Sequence, residues 1–148
     1  MDEGLLQRVI TRILDLLEEG GTLSPAQRVI FLAYFMDAEV RNGGFDQFFF
    51  NTQGNFAADT IDALHAVGAP KSADLLRRAC AAFAPEAPSP DRDVRWTQMD
   101  RLPKELREGW NALDTLYYDF GEKIPALIRA YIESNPMEED QDSGGRPP

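Results

Sequence analysis

The sequence predicts an all-α fold: a single compact bundle of about six or seven helices over residues 1–135, with a disordered acidic tail at 136–148. Three observations support this prediction. Apolar residues recur at helical spacing along most of the 148-residue chain. No stretch alternates apolar and polar residues convincingly enough to indicate a strand. Glycine and proline stand between the periodic segments, where helices usually end and begin.

The first two helices are indicated by an apolar face and by a start signal. One apolar face extends from Leu5 to Leu17. The next helix begins after Ser24, whose hydroxyl can cap it, and Gln27 can complete a capping box. We expect this second helix to extend to Val40.

Two adjacent glycines, Gly43 and Gly44, follow that helix, and the rest of the chain is organised around them. Phe45, Phe48 and Phe49 then recur at the spacing of one helix face. The pattern predicts a tight helix-turn-helix corner filled by phenylalanine. Four polar side chains should line it as a hydrogen-bonded cluster: Glu39, Asn42, Gln47 and Asn51. The cluster either locks the turn, which we favour, or forms a small binding pocket.

The remaining chain is read as four helices and one loop. Helices are predicted at about 56–67 and 70–83, and two more begin near Leu106 and Ile124. The first of these two has an apolar seam of helical period: Leu106, Trp110, Leu113, Tyr117 and Phe120. Residues 84–102 contain three prolines and are predicted as a loop, pinned onto the bundle by Trp96 and Met99.

The charge is strongly acidic and unevenly spread. Fifteen basic and twenty-five acidic residues give a net charge of −10, and residues 1–69 hold four basic and ten acidic side chains. Direct nucleic acid binding is therefore disfavoured, because it requires a basic footprint. The acidic start is unlike a signal peptide, and no apolar run approaches the ~20 residues of a membrane span. We expect a cytoplasmic protein without membrane contact.

Motifs for catalysis or metal binding are missing from the sequence. There is no phosphate-binding glycine loop and no nucleophile elbow. The single histidine, His65, is interpreted as a partly buried structural residue, and the single cysteine, Cys80, as a buried inert thiol. We therefore expect no catalytic residues, no metal and no cofactor.

The segment Asn42-Gly43-Gly44-Phe45-x-Gln47-Phe48 resembles the signature of a bacterial family of unknown function, the family that forms the C-terminal domain of a DNA-mimic protein. The resemblance covers about residues 20–135. It implies an all-α acidic domain, one branch of which imitates the DNA phosphate array to occupy a helix-turn-helix transcription factor. The signature residues are interpreted mostly as fold determinants: Glu39, Asn42, Gly43, Gly44, Phe45, Gln47, Phe48 and Asn51.

Mimicry requires rows of carboxylates, and helices can supply them. Acids at i, i+3 or i+4 lie about 5–6 Å apart at Cβ, so they can imitate a row of phosphates. The candidate phosphate mimics are Asp15, Glu18, Glu19, Asp37, Glu39, Asp46, Asp59 and Asp62.

The leading functional hypothesis is a non-enzymatic regulator that competes with DNA for a basic DNA-binding protein, such as a helix-turn-helix transcription factor. One alternative is a small-ligand pocket protein or enzyme that uses the polar corner. Another is an immunity-type structural partner whose acidity serves only solubility.

Overall fold

A computed structural model describes residues 4–136, and in this range the chain is an all-α bundle without strands. Seven α-helices follow one another, with short 3₁₀ segments at Thr52–Phe56 and Ala81–Phe83: α1 (Leu5–Glu18), α2 (Pro25–Phe50), α3 (Ala57–Ala66), α4 (Pro70–Cys80), α5 (Arg92–Asp100), α6 (Lys104–Phe120) and α7 (Ile124–Ser134). The predicted fold class is confirmed. Beyond Pro136, the tail predicted to be disordered lies outside the described residues.

Helix α2 is the centre of the bundle. It packs against α1, α3, α5, α6 and α7. Its core side chains have no exposed surface: Ile30, Ala33, Met36, Val40, Phe45, Phe48 and Phe49. Phe49 also stacks on Trp110 of α6, with ring centroids 4.9 Å apart. Because the other helices pack around α2, the geometry of α2 decides where they lie.

The ends of α1 and α2 follow the signals read from the sequence. Ser24 Oγ accepts a hydrogen bond from the Gln27 backbone N–H at 3.1 Å, and Gln27 Oε1 accepts one from the Ser24 N–H at 2.8 Å. The predicted capping box is therefore present. At the end of α1, Gly20 has φ +78°, and the Gly21 N–H donates to the Leu16 carbonyl at 2.7 Å. This is the Schellman arrangement that a glycine permits.

One predicted loop is partly a helix. Residues 92–100 form α5, whose start is capped by the Asp91 side chain accepting from the Val94 N–H at 3.0 Å. The prediction of a loop was wrong because the three prolines all precede this cap and none interrupts the helix. The two predicted anchors are confirmed: Met99 is buried, and the Trp96 indole donates to the Phe50 carbonyl at 2.7 Å.

Two further side-chain predictions were wrong. His65 is exposed, since it lies on the face of α3 opposite the buried Leu64 and Thr60. Leu106 is 47% exposed, although it lies four positions before the buried Trp110 on the same predicted apolar seam. Leu106 falls in the first turn of α6, where little of the bundle covers it.

Candidate functional site

The paired glycines divide α2 into two helical segments that meet at a kink. Gly43 (φ −155°, ψ 20°) and Gly44 (φ 75°, ψ −175°) are the two residues inside α2 with non-helical backbone angles. The predicted corner is therefore present: one helical segment ends at the glycines, a second begins at Phe45, and α2 denotes both. The conformation of Gly44 lies in a region that is essentially restricted to glycine.

A carboxylate from α6 occupies the inside of the kink. Asp114 Oδ1 accepts a hydrogen bond from the Phe45 backbone N–H at 2.8 Å, so Asp114 caps the helical segment that restarts after the glycines. A Cβ added to Gly44 would overlap this carboxylate and lie 2.7 Å from its Cγ. Partial burial raises the pKa of Asp114, the Phe45 hydrogen bond opposes that rise, and nearby Asp46 adds to it.

The raised pKa of Asp114 predicts a pH-dependent stability difference from the Asp114→Asn variant. A carboxyl with a raised pKa binds more protons in the folded than in the unfolded state, so folding is favoured at low pH. As pH rises above the ordinary value of 3.8, the wild-type protein should lose stability relative to Asp114→Asn. Urea unfolding of both proteins at pH 4 and pH 7 measures this difference. An equal difference at both pH values would contradict the prediction.

The four polar residues of the corner bond to one another. Glu39 Oε2 accepts from Gln47 Nε2 at 3.0 Å and from Asn51 Nδ2 at 2.9 Å. Asn42 Nδ2 donates to Gln47 Oε1 at 3.1 Å. The predicted hydrogen-bonded cluster is confirmed, and it joins the segments of α2 on either side of the kink. These contacts are those expected of a lock that fixes the bend.

The C-terminal end of α2 is held by a buried arginine that sequence reasoning missed. Arg95 of α5 has no exposed surface, and its guanidinium donates to the carbonyls of Phe49 (2.6 Å), Asn51 (2.8 Å) and Ser89 (2.7 Å) and to Asn55 Oδ1 (2.9 Å). Burial lowers the pKa of the Arg95 guanidinium. A cation suits this position because the last carbonyls of a helix lack partners within the helix.

A small depression lies beside the polar cluster. It has a volume of about 290 Å³ and is lined by Gly43, Asp46, Gln47, Phe50 and Arg107. Of the four polar corner residues, Gln47 alone contributes to its lining. Asp46 and Arg107 are themselves paired across it at 2.9 Å. The structure therefore brings the corner residues together, but it directs most of them toward one another and not into this depression.

The predicted phosphate mimics do not share one environment. Asp15, Glu18, Glu19 and Asp62 are exposed, and none of them forms an ion pair within residues 4–136. Asp59 is also exposed and pairs with Arg28 at 2.8 Å.

The prediction that Asp37 and Glu39 are surface acids was wrong. Asp37 is only 5% exposed, because it faces α6 and accepts a hydrogen bond from the Tyr117 hydroxyl. It also pairs with Arg41 at 3.0 Å. Burial, with the neighbouring Asp37 carboxylate, raises the pKa of Tyr117. Glu39 is half-buried and holds two amides of the polar cluster, so neither carboxylate is presented as a surface charge.

Five exposed acids lie on α1, on the turn that follows it and on α3, and we call them the acidic end: Asp15, Glu18, Glu19, Asp59 and Asp62. Glu19 precedes Pro25, the first residue of α2, by six positions through the tight turn at Gly20. Asp59 of α3 reaches the same end of α2 through Arg28. Glu19 and Asp59 thus both lie near the first turn of α2.

Other chemical features are few in the described part of the chain. Between residues 4 and 136, no group of three or more His, Cys, Asp or Glu side chains is arranged to hold a metal ion. Burial raises the pKa of the Cys80 thiol to about 12, so its reactive thiolate form is scarce. None of the helices in this range has the length and apolar character needed to cross a bilayer.

The fold and the site together define an all-α acidic domain built on a glycine-kinked central helix. Residues 21–135 match the family model described as DMP19-like protein, in agreement with the extent of about 20–135 inferred from the signature. The chain belongs to the DMP19-like protein family. Comparisons with curated proteins and with solved structures gave no significant match.

Proposed function

We propose that this protein is a non-enzymatic, DNA-mimic-type regulator that competes with DNA for a basic DNA-binding protein, such as a helix-turn-helix transcription factor. The acidic end is the observation that supports the proposal. Its five carboxylates are exposed, and four of them are without an ion pair in the described range. The chain's net charge of −10 favours the approach of a cationic partner.

The spacing of the acidic end suits a surface that normally binds phosphates. Asp15 lies three positions before Glu18 and four before Glu19, and Asp59 lies three before Asp62. Such pairs have Cβ atoms about 5–6 Å apart on one helix face. Arginine and lysine side chains that bind phosphate oxygens also bind carboxylates, often through the same paired hydrogen bonds. The proposed contact surface is therefore the acidic end. It leaves out Asp37 and Glu39, and also Asp46, whose carboxylate pairs with Arg107.

Charge reversal tests this proposal. The partner is first recovered from the native host with the tagged full-length protein and then purified. Changing Asp15, Glu18 and Glu19 to lysine should weaken its binding at least tenfold, because three exposed attractions become repulsions. Isothermal titration at two salt concentrations measures the affinity, and DNA carrying the partner's own site should displace this protein.

A matched control changes the net charge equally at other surfaces. Glu86, Glu105 and Asp119 are exposed and lie outside the acidic end, so their reversal to lysine should weaken binding much less. Equal losses in both triple variants would mean that net charge alone matters. Binding that persists in high salt alongside DNA would contradict mimicry. Sensitivity to Gln47→Ala or Asn51→Ala would then favour the pocket alternative, and sensitivity to neither would favour the immunity-type alternative.

A further inference from the structure

A second surface of this acidic protein is locally cationic. A pocket of about 530 Å³ lies where α2, α6 and α7 meet, within the size range of small-molecule sites. Of the described residues, three basic side chains line it, Arg41, Lys123 and Arg129, together with one acid, Asp37. We call it the α7 pocket. Arg41 lies thirteen positions after Arg28, about 20 Å farther along α2, so the pocket is separate from the acidic end.

Three of the acids on or between the helices that form this pocket are already hydrogen-bonded. Asp37 is buried and accepts from the Tyr117 hydroxyl and from Arg41. Glu122, next to Lys123, accepts from the Ser72 backbone N–H at 2.6 Å and from its hydroxyl at 2.7 Å. Asp114 accepts from the Phe45 N–H. Their hydrogen bonds fix these three carboxylates, and among the described residues the pocket lining holds three cations and one acid.

Arg41 is held in position before any ligand arrives. Its Nε donates to Asp37 Oδ1 at 3.0 Å, and its guanidinium lies 5.5 Å from the centre of the Tyr117 ring. The Arg41 side chain still keeps 43% of its surface exposed, so the rest of its guanidinium is accessible. A guanidinium fixed in this way can bind a carboxylate or phosphate through two parallel hydrogen bonds with little loss of side-chain entropy.

The other walls of the pocket are largely apolar. Pro125 and Ala126 of α7 contribute hydrocarbon surface, and Tyr118 of α6 contributes its ring. The Tyr118 hydroxyl donates to the Val40 carbonyl at 2.8 Å, which fixes the ring against α2. An occupant of the α7 pocket would thus meet apolar surface beside a group of cations.

We infer that the α7 pocket binds a small organic anion that carries one carboxylate or phosphate group on a compact apolar body. The anionic group contacts Arg41, Lys123 and Arg129, and the apolar body packs on Tyr118, Pro125 and Ala126. This inference is independent of the DNA-mimic proposal, because it uses a different surface and the opposite charge.

Three probes of similar shape test the inference on the full-length protein. Phenylacetate supplies a carboxylate, phenyl phosphate supplies a phosphate, and phenylacetamide is the neutral analogue. In NMR titrations of backbone amides, at least one anionic probe should shift the signals of Tyr118, Ala126 and Arg129 in a saturable way. The anion with the higher affinity identifies the preferred group. Phenylacetamide should bind at least about tenfold more weakly than that anion.

Substitutions locate the site and distinguish charge from shape. Lys123→Gln and Arg129→Gln should each weaken the anionic probe about three- to tenfold. Arg101→Gln is the matched control, because Arg101 is exposed and does not line the pocket. Ala126→Trp, at an exposed position, should fill the pocket and abolish binding while the far-ultraviolet circular dichroism stays unchanged.

Any of three results would overturn the inference. One is the absence of saturable shifts up to the solubility limit of both anions. Another is equal affinity for phenylacetamide. The third is binding that survives Ala126→Trp in the folded protein.

Discussion

Replacing Arg95 with methionine should lower the free energy of unfolding by about 3–5 kcal/mol. The guanidinium of Arg95 is fully buried and donates to three backbone carbonyls and one side-chain oxygen. Methionine keeps most of the side-chain volume but offers no donor. A buried acceptor left without a partner typically costs about 1–3 kcal/mol. The expected loss is smaller than the sum over four acceptors, because water would hydrate some of them. Urea unfolding at pH 7 measures the change.

Two further variants separate the hydrogen bonds of Arg95 from its charge. Arg95→Lys keeps the charge but replaces the planar fork with one ammonium group, so it should recover only part of the lost stability. Arg101→Met removes an exposed arginine at the end of the same helix and should change stability by less than about 0.5 kcal/mol. A loss below about 1 kcal/mol in Arg95→Met would mean that Arg95 does not hold the end of α2.

The features that could be predicted from the sequence are those encoded by local spacing. Apart from α5, the helices follow from apolar periodicity, and the capping box at Ser24 and Gln27 follows from residues three positions apart. The polar cluster was also predictable, because Glu39, Gln47 and Asn51 lie within twelve positions of one another and on the two sides of a glycine pair.

Contacts between distant segments could not be predicted in the same way. Asp114 caps Phe45 across 69 positions, and Arg95 reaches Phe49 across 46. A single sequence gives no signal for such pairings, although the placement of arginine next to Trp96 on an anchored segment was a clue. Asp37 was misassigned for the same reason. Its i, i+4 spacing to Arg41 is typical of a surface pair, whereas Tyr117 covers it from α6.

Contacts between distant segments also explain why position 54, just after the signature, is a glycine. A Cβ on Gly54 would lie 2.8 Å from the Phe48 carbonyl oxygen and 2.9 Å from Arg95 Nε. The glycine therefore provides space for the buried arginine rather than freedom for the backbone. The same principle applies more strongly at Gly44, where lack of space and a positive φ coincide.

Replacing Gly44 with alanine should lower the free energy of unfolding by about 1.5–5 kcal/mol. Two effects combine in this variant. The backbone at φ 75° and ψ −175° is strained for any residue with a Cβ, at about 1–3 kcal/mol. The new methyl also displaces the Asp114 carboxylate, so the Phe45 N–H loses its cap, at about 0.5–2 kcal/mol. Thermal and urea unfolding of the variant provide the measurement.

A double-mutant cycle with Asp114→Ala separates the two effects at Gly44. With the carboxylate removed, Gly44→Ala should cost only the backbone strain, so its effect should be smaller than in the wild-type background. Gly68→Ala is the matched control. Gly68 also has a positive φ, of +87°, but no atom lies within 4 Å of the added Cβ, so strain of about 1–2 kcal/mol is expected. If Gly44→Ala destabilised no more than Gly68→Ala, and equally in both backgrounds, then the Asp114 carboxylate would not be what excludes a side chain from the kink.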